Sequence, residues 1–138
     1  MIGTCRGNSP QTSTHPAHRI LYVDDQEPLV ALMIHVLSKL GYDVIGCTSS
    51  EKALGAFAQP HNFDAVVSDV RMPGMSGFDL AQQILAIRPR IPILLTSGHI
   101  LPEDEQTALN LGLPPLILKT ETVQMLGQML HRLLSTCV

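Results

Sequence analysis

Five short apolar runs, each followed by a stretch with helical periodicity, constrain this chain more than any other feature. The runs are Ile20-Leu21-Tyr22-Val23, Asp43-Val44-Ile45-Gly46-Cys47, Ala65-Val66-Val67-Ser68-Asp69, Ile91-Pro92-Ile93-Leu94-Leu95-Thr96-Ser97 and Leu116-Ile117-Leu118-Lys119. Brief β-branched runs bounded by turn residues read as buried strands. Strands alternating with helices predict a parallel sheet covered on both faces. Right-handed crossovers leave few arrangements, and the common order for five strands is 2-1-3-4-5. That order is taken from precedent rather than from these residues. The expected fold class is therefore α/β, a doubly wound five-stranded parallel sheet in a three-layer sandwich.

The helices carry their own signals. Glu27 and Pro28 suit a helix start, and Leu29, Leu32, Met33, Val36, Leu37 and Leu40 follow at helical spacing until Gly41. Ser49 or Ser50 caps a second helix through Ala53, Leu54, Phe57 and Ala58, which Pro60 ends. A third follows Ser76-Gly77 through Phe78, Leu80, Ala81, Ile84 and Ile87. Pro102-Glu103-Asp104-Glu105 opens a fourth, closed by Gly112. The last places Val123, Leu126, Met129, Leu130 and Leu133 along one side. His35, between apolar positions of the first helix, is read as exposed or satisfied rather than as a ligand.

At 138 residues with 45% apolar and 15% charged content, the chain has the material for one domain with a real core. No run is long enough to span a bilayer, and a formal charge of -3 gives no reason to expect direct nucleic-acid binding. Cys5, Cys47 and Cys137 have neither metal spacing nor a disulfide framework, so reduced thiols in a cytoplasmic protein are expected. Residues 1–18 are polar, rich in Ser, Thr, Pro and His, and read as a tail or linker without the apolar core of a signal peptide. The folded domain is placed at residues 19–136.

Open α/β sheets put their chemistry at the carboxyl ends of the strands. In the order above, Asp24 and Asp25 end the first run beside Asp69 at the end of the third, while Ser97 and Lys119 end the next two on the same edge. Clustered carboxylates repel unless protonated or held by a cation, and oxygen-only ligands favour a hard ion such as Mg²⁺. One lysine is too little charge to neutralise three acids, but it is placed to balance a phosphoryl group arriving on a carboxylate. A carboxylate nucleophile, a metal, a lysine and a hydroxyl together read as an aspartyl-phosphate site. Singly, each has a plainer reading: Asp24-Asp25 as a helix cap, Asp69 as a turn cap, Ser97 as a strand exit and Lys119 as a solvated strand end.

Asp24-Asp25, the loop Asp69-Val70-Arg71-Met72-Pro73-Gly74-Met75-Ser76-Gly77, Ser97-Gly98 and Lys119, in this order and spacing, resemble a response-regulator receiver domain over Arg19 to Leu134. The resemblance implies a flavodoxin-like sheet with Asp69 as phosphoacceptor. Asp25 would bind Mg²⁺ directly, Asp24 largely through water, and the backbone carbonyl of Arg71 would be a further ligand. Ser97 would be the switch hydroxyl and Lys119 its ion-pair partner to the phosphoryl group. The donor would be a phosphohistidine on a histidine kinase or histidine phosphotransfer protein. Helix four, strand five and helix five form the usual partner face, where His99, Leu116 and Thr120 lie and through which a homodimer would form. The polar leader and the Leu94-Leu95-Thr96-Ser97-Gly98-His99 phrase resemble the receiver of a hybrid sensor kinase.

Two positions depart from that pattern. Thr120 follows Lys119 where proline is usual, so a trans bond or an altered loop is expected. Leu116 stands where an aromatic usually reports phosphorylation. Arg71 and His99 occupy positions that tune phosphoryl lifetime in the family. Other classes fit less well. A haloacid-dehalogenase-type phosphatase would need a second acid at Arg71, and a flavodoxin-like nucleotide site would not place Asp24-Asp25 against phosphate. A pseudo-receiver, acting by protein contact without phosphorylation, is the alternative kept open by Thr120 and Leu116.

Overall fold

The computed structural model describes residues 17–59 and 62–135. Residues 1–16 of the expected leader, Cys5, Cys137 and the helix stop at Pro60 therefore lie outside the described residues. The strands are β1 (Arg19–Val23), β2 (Asp43–Cys47), β3 (Ala65–Asp69), β4 (Ile93–Ser97) and β5 (Ile117–Leu118). The helices are α1 (Glu27–Lys39), α2 (Ser50–Ala58), α3 (Gly77–Ile87), α4 (Pro102–Asn110) and α5 (Thr122–Ser135). All strands pair in parallel in the order β2-β1-β3-β4-β5, as expected.

Side-chain alternation along each strand builds two cores. Leu21, Val23, Val66, Ile93 and Leu95 face Ala53 and Phe57 of α2, Leu80, Ala81 and Ile84 of α3, and Ala108 of α4. Ile20, Tyr22, Ala65, Val67 and Leu94 face Val30, Met33, Ile34 and Leu37 of α1 and Leu126, Leu130 and Leu134 of α5. With both faces covered, β3 and β4 bury every residue, so their sequences lack the polar alternation of a half-exposed sheet.

Several boundaries and faces correct the sequence reading. Strand β4 starts at Ile93 rather than Ile91, because Pro92 has no N–H to donate; its carbonyl still accepts from the Val66 N–H at 3.0 Å. The edge strand β5 is only Ile117–Leu118, preceded by Pro114 and Pro115, and Lys119–Glu121 turn as a 3₁₀ helix into α5. On α1 the buried stripe is Val30, Met33, Ile34 and Leu37, whereas Leu32 and Leu40 are 47% and 57% exposed. On α5 Val123 is half exposed, and Leu134 joins the core in its place. His35 is exposed, as read.

Local chemistry fixes the helix starts beside the site. Ser49 caps α2, its hydroxyl accepting from the Lys52 N–H at 3.1 Å. Ser76 and Asp79 exchange side-chain and backbone bonds as a capping box on α3. Gly77 is required there for space. A Cβ on it would stand 2.2 Å from the Asp69 carbonyl oxygen, so only glycine lets α3 start against the end of β3.

Candidate functional site

The sheet register sets the site before any side chain is placed. Val23 pairs with Ser68, Asp69 with Thr96, and Ser97 with Leu118. Asp24, Asp69, Ser97 and Lys119 thus leave neighbouring strands at one edge. Sheet-type bonds continue past the strand ends, from the Asp24 N–H to the Cys47 carbonyl at 3.1 Å and from the Val70 N–H to the Thr96 carbonyl at 2.8 Å. The carboxylates therefore stand on stiff backbone rather than on free loops.

The structure brings together the three acids named from sequence. One carboxylate oxygen from each of Asp24, Asp25 and Asp69 lies within 4.8 Å of the others. Asp24 is fully buried and Asp69 nearly so, while Asp25 is exposed. Asp24 Oδ1 accepts from the Gln26 N–H at 2.9 Å, but Gln26 is itself the N-cap of α1 and no side chain caps that helix, so the plainer reading of Asp24-Asp25 as a helix cap does not hold. The other Asp24 oxygen meets Lys119, whose Nζ lies 2.9 Å from Asp24 Oδ2 and 3.2 Å from Asp69 Oδ2. Gln26 Oε1 stands 3.5 Å from the same ammonium.

The charges strain one another. Burial, then the Asp24 charge, push the Asp69 carboxyl above the usual carboxylate range, and the attraction of Lys119 only partly offsets them. Burial works against the Lys119 ammonium, but hydrogen bonding to Asp24 and the charges of both aspartates outweigh it and raise its pKa. On β1, burial followed by the fields of Asp24 and Asp69 raises the phenol of Tyr22. This is an anion-rich pocket with one ammonium bridging two of its three acids. A second cation would relieve the remaining repulsion, and the donor set is all hard oxygen, which suits Mg²⁺ and not a thiophilic metal. The Arg71 backbone follows Asp69 on the same loop, and the family resemblance alone names its carbonyl as a further oxygen donor.

Ser97 reaches the same edge but is engaged on its outer side. Its hydroxyl donates to the His99 carbonyl at 2.8 Å and accepts from the His99 N–H at 3.2 Å and from Arg71 Nη1 at 3.1 Å. Arg71 Nη1 also donates to the His99 carbonyl at 3.3 Å, and Nη2 to Asp104 Oδ2 at 2.7 Å. Burial would raise the Asp104 carboxyl, yet the bonds from Arg71 and the Leu101 N–H hold it below its ordinary value. The sequence reading missed Asp104, which it took only as part of an acidic helix start. The pair joins residues 33 apart, so no local pattern in the sequence signals it. Of the three residues expected on a partner face, His99 and Thr120 are exposed, but Leu116 is buried in the core. The Lys119–Thr120 bond is trans, since no cis peptide occurs among the described residues.

A doubly wound parallel α/β domain carrying an acid triad, a bridging lysine and a rim hydroxyl at the switch point belongs to the flavodoxin-like class. Within it, the family model for the response regulator receiver domain matches residues 20–131. The chain belongs to that family, the receiver domains of two-component signalling. It is 42% identical over 79 residues to the virulence sensor protein BvgS of Bordetella pertussis, covering 57% of this chain and 6% of that protein. It is 34% identical over 94 residues to the alkaline phosphatase synthesis transcriptional regulatory protein PhoP of Bacillus subtilis, covering 68% of this chain and 39% of that one. The chain thus spans a small part of the sensor proteins it matches. Among solved structures, the chemotaxis protein CheY4 of Vibrio cholerae superposes with a TM-score of 0.79 at 28% identity, over 85% of this chain and 98% of that one. No helix among the described residues is long and apolar enough to cross a membrane.

Proposed function

We propose that this domain, taken as residues 19–136, accepts a phosphoryl group on Asp69 from a phosphohistidine. The donor is a histidine kinase or a histidine phosphotransfer protein in the cytoplasm. The observation that carries the reading is the Lys119 ammonium lying between Asp24 Oδ2 and Asp69 Oδ2, with Asp25 completing the acid cluster. Lys119 would neutralise charge on the attacking carboxylate oxygen and on the phosphoryl oxygens in transit, which is what phosphoryl transfer requires of a protein. An Asp69 carboxylate oxygen attacks phosphorus as the phosphorus–nitrogen bond to the donor imidazole breaks, and the imidazole leaves with that electron pair. Asp24, Asp25, Asp69 and the Arg71 carbonyl would hold Mg²⁺, which supplies charge neutralisation to the phosphoryl oxygens when bound. Ser97 would turn its hydroxyl from the His99 carbonyl to a phosphoryl oxygen, switching the α4–β5–α5 face on which a partner or a second copy docks. The similarity to BvgS supports a place in a hybrid sensor kinase.

The test is intact-mass measurement after incubation with acetyl phosphate and Mg²⁺. One phosphoryl adduct, absent from Asp69→Asn, supports the proposal. Continuous phosphate release without an adduct would indicate a phosphatase instead. No adduct would favour a pseudo-receiver that works by contact alone, the alternative kept open by Thr120 and Leu116; the bond of the Ser97 hydroxyl to the His99 carbonyl is in keeping with it.

A further inference from the structure

Helix α4 is held to the domain by very little. Only Asp104 and Ala108 of its nine residues are buried, fewer than in any other α-helix among the described residues. Leu109 is 69% exposed. One of the two anchors is thus a carboxylate, and its cationic partner comes from the loop after β3. Asp104 Oδ2 takes the Arg71 guanidinium at 2.7 Å and the Leu101 N–H at 2.9 Å, so a single oxygen both caps α4 and ties it to the site loop. The other arm of that guanidinium rests on Ser97 Oγ, the hydroxyl at the rim of the acid pocket.

We propose that Arg71 is shared between the pocket and α4: its ion pair with Asp104 tethers the helix while Asp69 is bare, and a phosphoryl dianion on Asp69 draws the guanidinium away and frees the first turn of α4. This rests on the receiver reading above. A planar guanidinium prefers the bidentate grip of a phosphoryl group to a single carboxylate oxygen. The Arg71 side chain is about half exposed, at 49%, so it swings without repacking the core. When Ser97 turns to donate to the phosphoryl group, the acceptor that now fixes Nη1 moves with it. Elements that move in switching are those with few buried contacts, and α4 fits that description. The tether also needs no aromatic ring, which Leu116 does not supply.

Competition for one cation is reciprocal: whatever weakens the tether must strengthen anion binding in the pocket. The test uses beryllofluoride with Mg²⁺ as the phosphoryl stand-in. In the unaltered chain, exchange of the Asp104 and Glu105 amides, both bonded to the Leu101 carbonyl, should speed up about fivefold on binding, the low end of measured site-to-site couplings. In Arg71→Ala those amides should exchange fast from the outset and not respond. Asp104→Asn, which keeps an oxygen for the Leu101 N–H, should bind beryllofluoride about fivefold more tightly, by the same coupling. In the Arg71→Ala background the same change should have no effect. Beryllofluoride bound with α4 exchange unaltered, or an equal affinity gain from Asp104→Asn in both backgrounds, would overturn the tether and leave the receiver reading intact. No binding by the unaltered chain would overturn both.

Discussion

Replacing Lys119 by methionine keeps the stem of the side chain and deletes the one ammonium between two buried acids. Its Nζ lies 2.9 Å from Asp24 Oδ2 and 3.2 Å from Asp69 Oδ2. At an effective dielectric of about 20 these distances correspond to attractions of roughly 6 and 5 kcal/mol before desolvation. Desolvation of three ions cancels most of that gain, but removing one partner leaves the acids uncompensated, which typically costs about 3–5 kcal/mol. The Lys119 side chain is 20% exposed while Asp24 is fully buried, so water reaches the ammonium and the lower end, about 3 kcal/mol, is expected. That is a large share of the roughly 5–15 kcal/mol holding a domain together. Urea unfolding in a chelator at neutral pH should read it as a fall in midpoint of about 1.5 M for a slope of about 2 kcal/mol per molar. Lys39→Met, at an exposed helix end, should change stability by less than about 0.5 kcal/mol. Adding Mg²⁺ should recover more stability in Lys119→Met than in the unaltered chain, because the acids then lack any other cation. A loss below about 1 kcal/mol, with equal Mg²⁺ responses, is the behaviour of an exposed ion pair and would refute the reasoning.

Other consequences are simpler to check. Because Asp69 titrates above its ordinary value when folded, the folded state holds that proton more tightly. Stability in chelator should then fall as pH rises from the unfolded carboxyl value, about 3.9, through the folded one. Asp69→Asn lacks this loss, so thermal unfolding should find it the more stable form at pH 7, with the difference vanishing in acid. Gly77→Ala places a methyl 2.2 Å from the Asp69 carbonyl and should cost at least about 2 kcal/mol, as overpacking does, while also lowering the yield of adduct from acetyl phosphate. Arg71→Ala and His99→Ala should each change the lifetime of the phosphorylated form, followed by loss of adduct mass over time. Unchanged lifetimes in both would remove these residues from that role. Leu126→Ala, at a fully buried position, should destabilise by about 2–5 kcal/mol without altering adduct yield in the folded fraction.

The sheet was legible because its signals are local. β1 and β3 are apolar runs that stop on a carboxylate at the edge where chemistry belongs, and Ser76-Gly77 marks the next helix by capping and by space. The faces of α1 were not legible for the opposite reason. Val30, Leu32, Ile34 and Leu40 are all apolar, so periodicity alone does not choose the stripe, and packing on β2 decides it. A Cβ on Gly46 of that strand would stand 2.5 Å from Val30 Cγ1, which shows how closely that side of α1 approaches. In the same way, spacing places Asp24, Asp69 and Lys119 at one edge, but the bond from Arg71 to Asp104 joins residues 33 apart. No window of sequence reveals such a pair. Only the family resemblance places Leu116 on a partner face; in the structure it packs into the core just before the short strand β5.

The most direct measurement is the position of the phosphoryl bond. After acetyl phosphate treatment with Mg²⁺, borohydride reduces an acyl phosphate to the alcohol, and peptide mapping then locates the altered carboxyl. Conversion of Asp69 to homoserine, with Asp24 and Asp25 unchanged, is the predicted result. Conversion at Asp24 or Asp25 instead, or no conversion anywhere in the folded chain, would contradict the account.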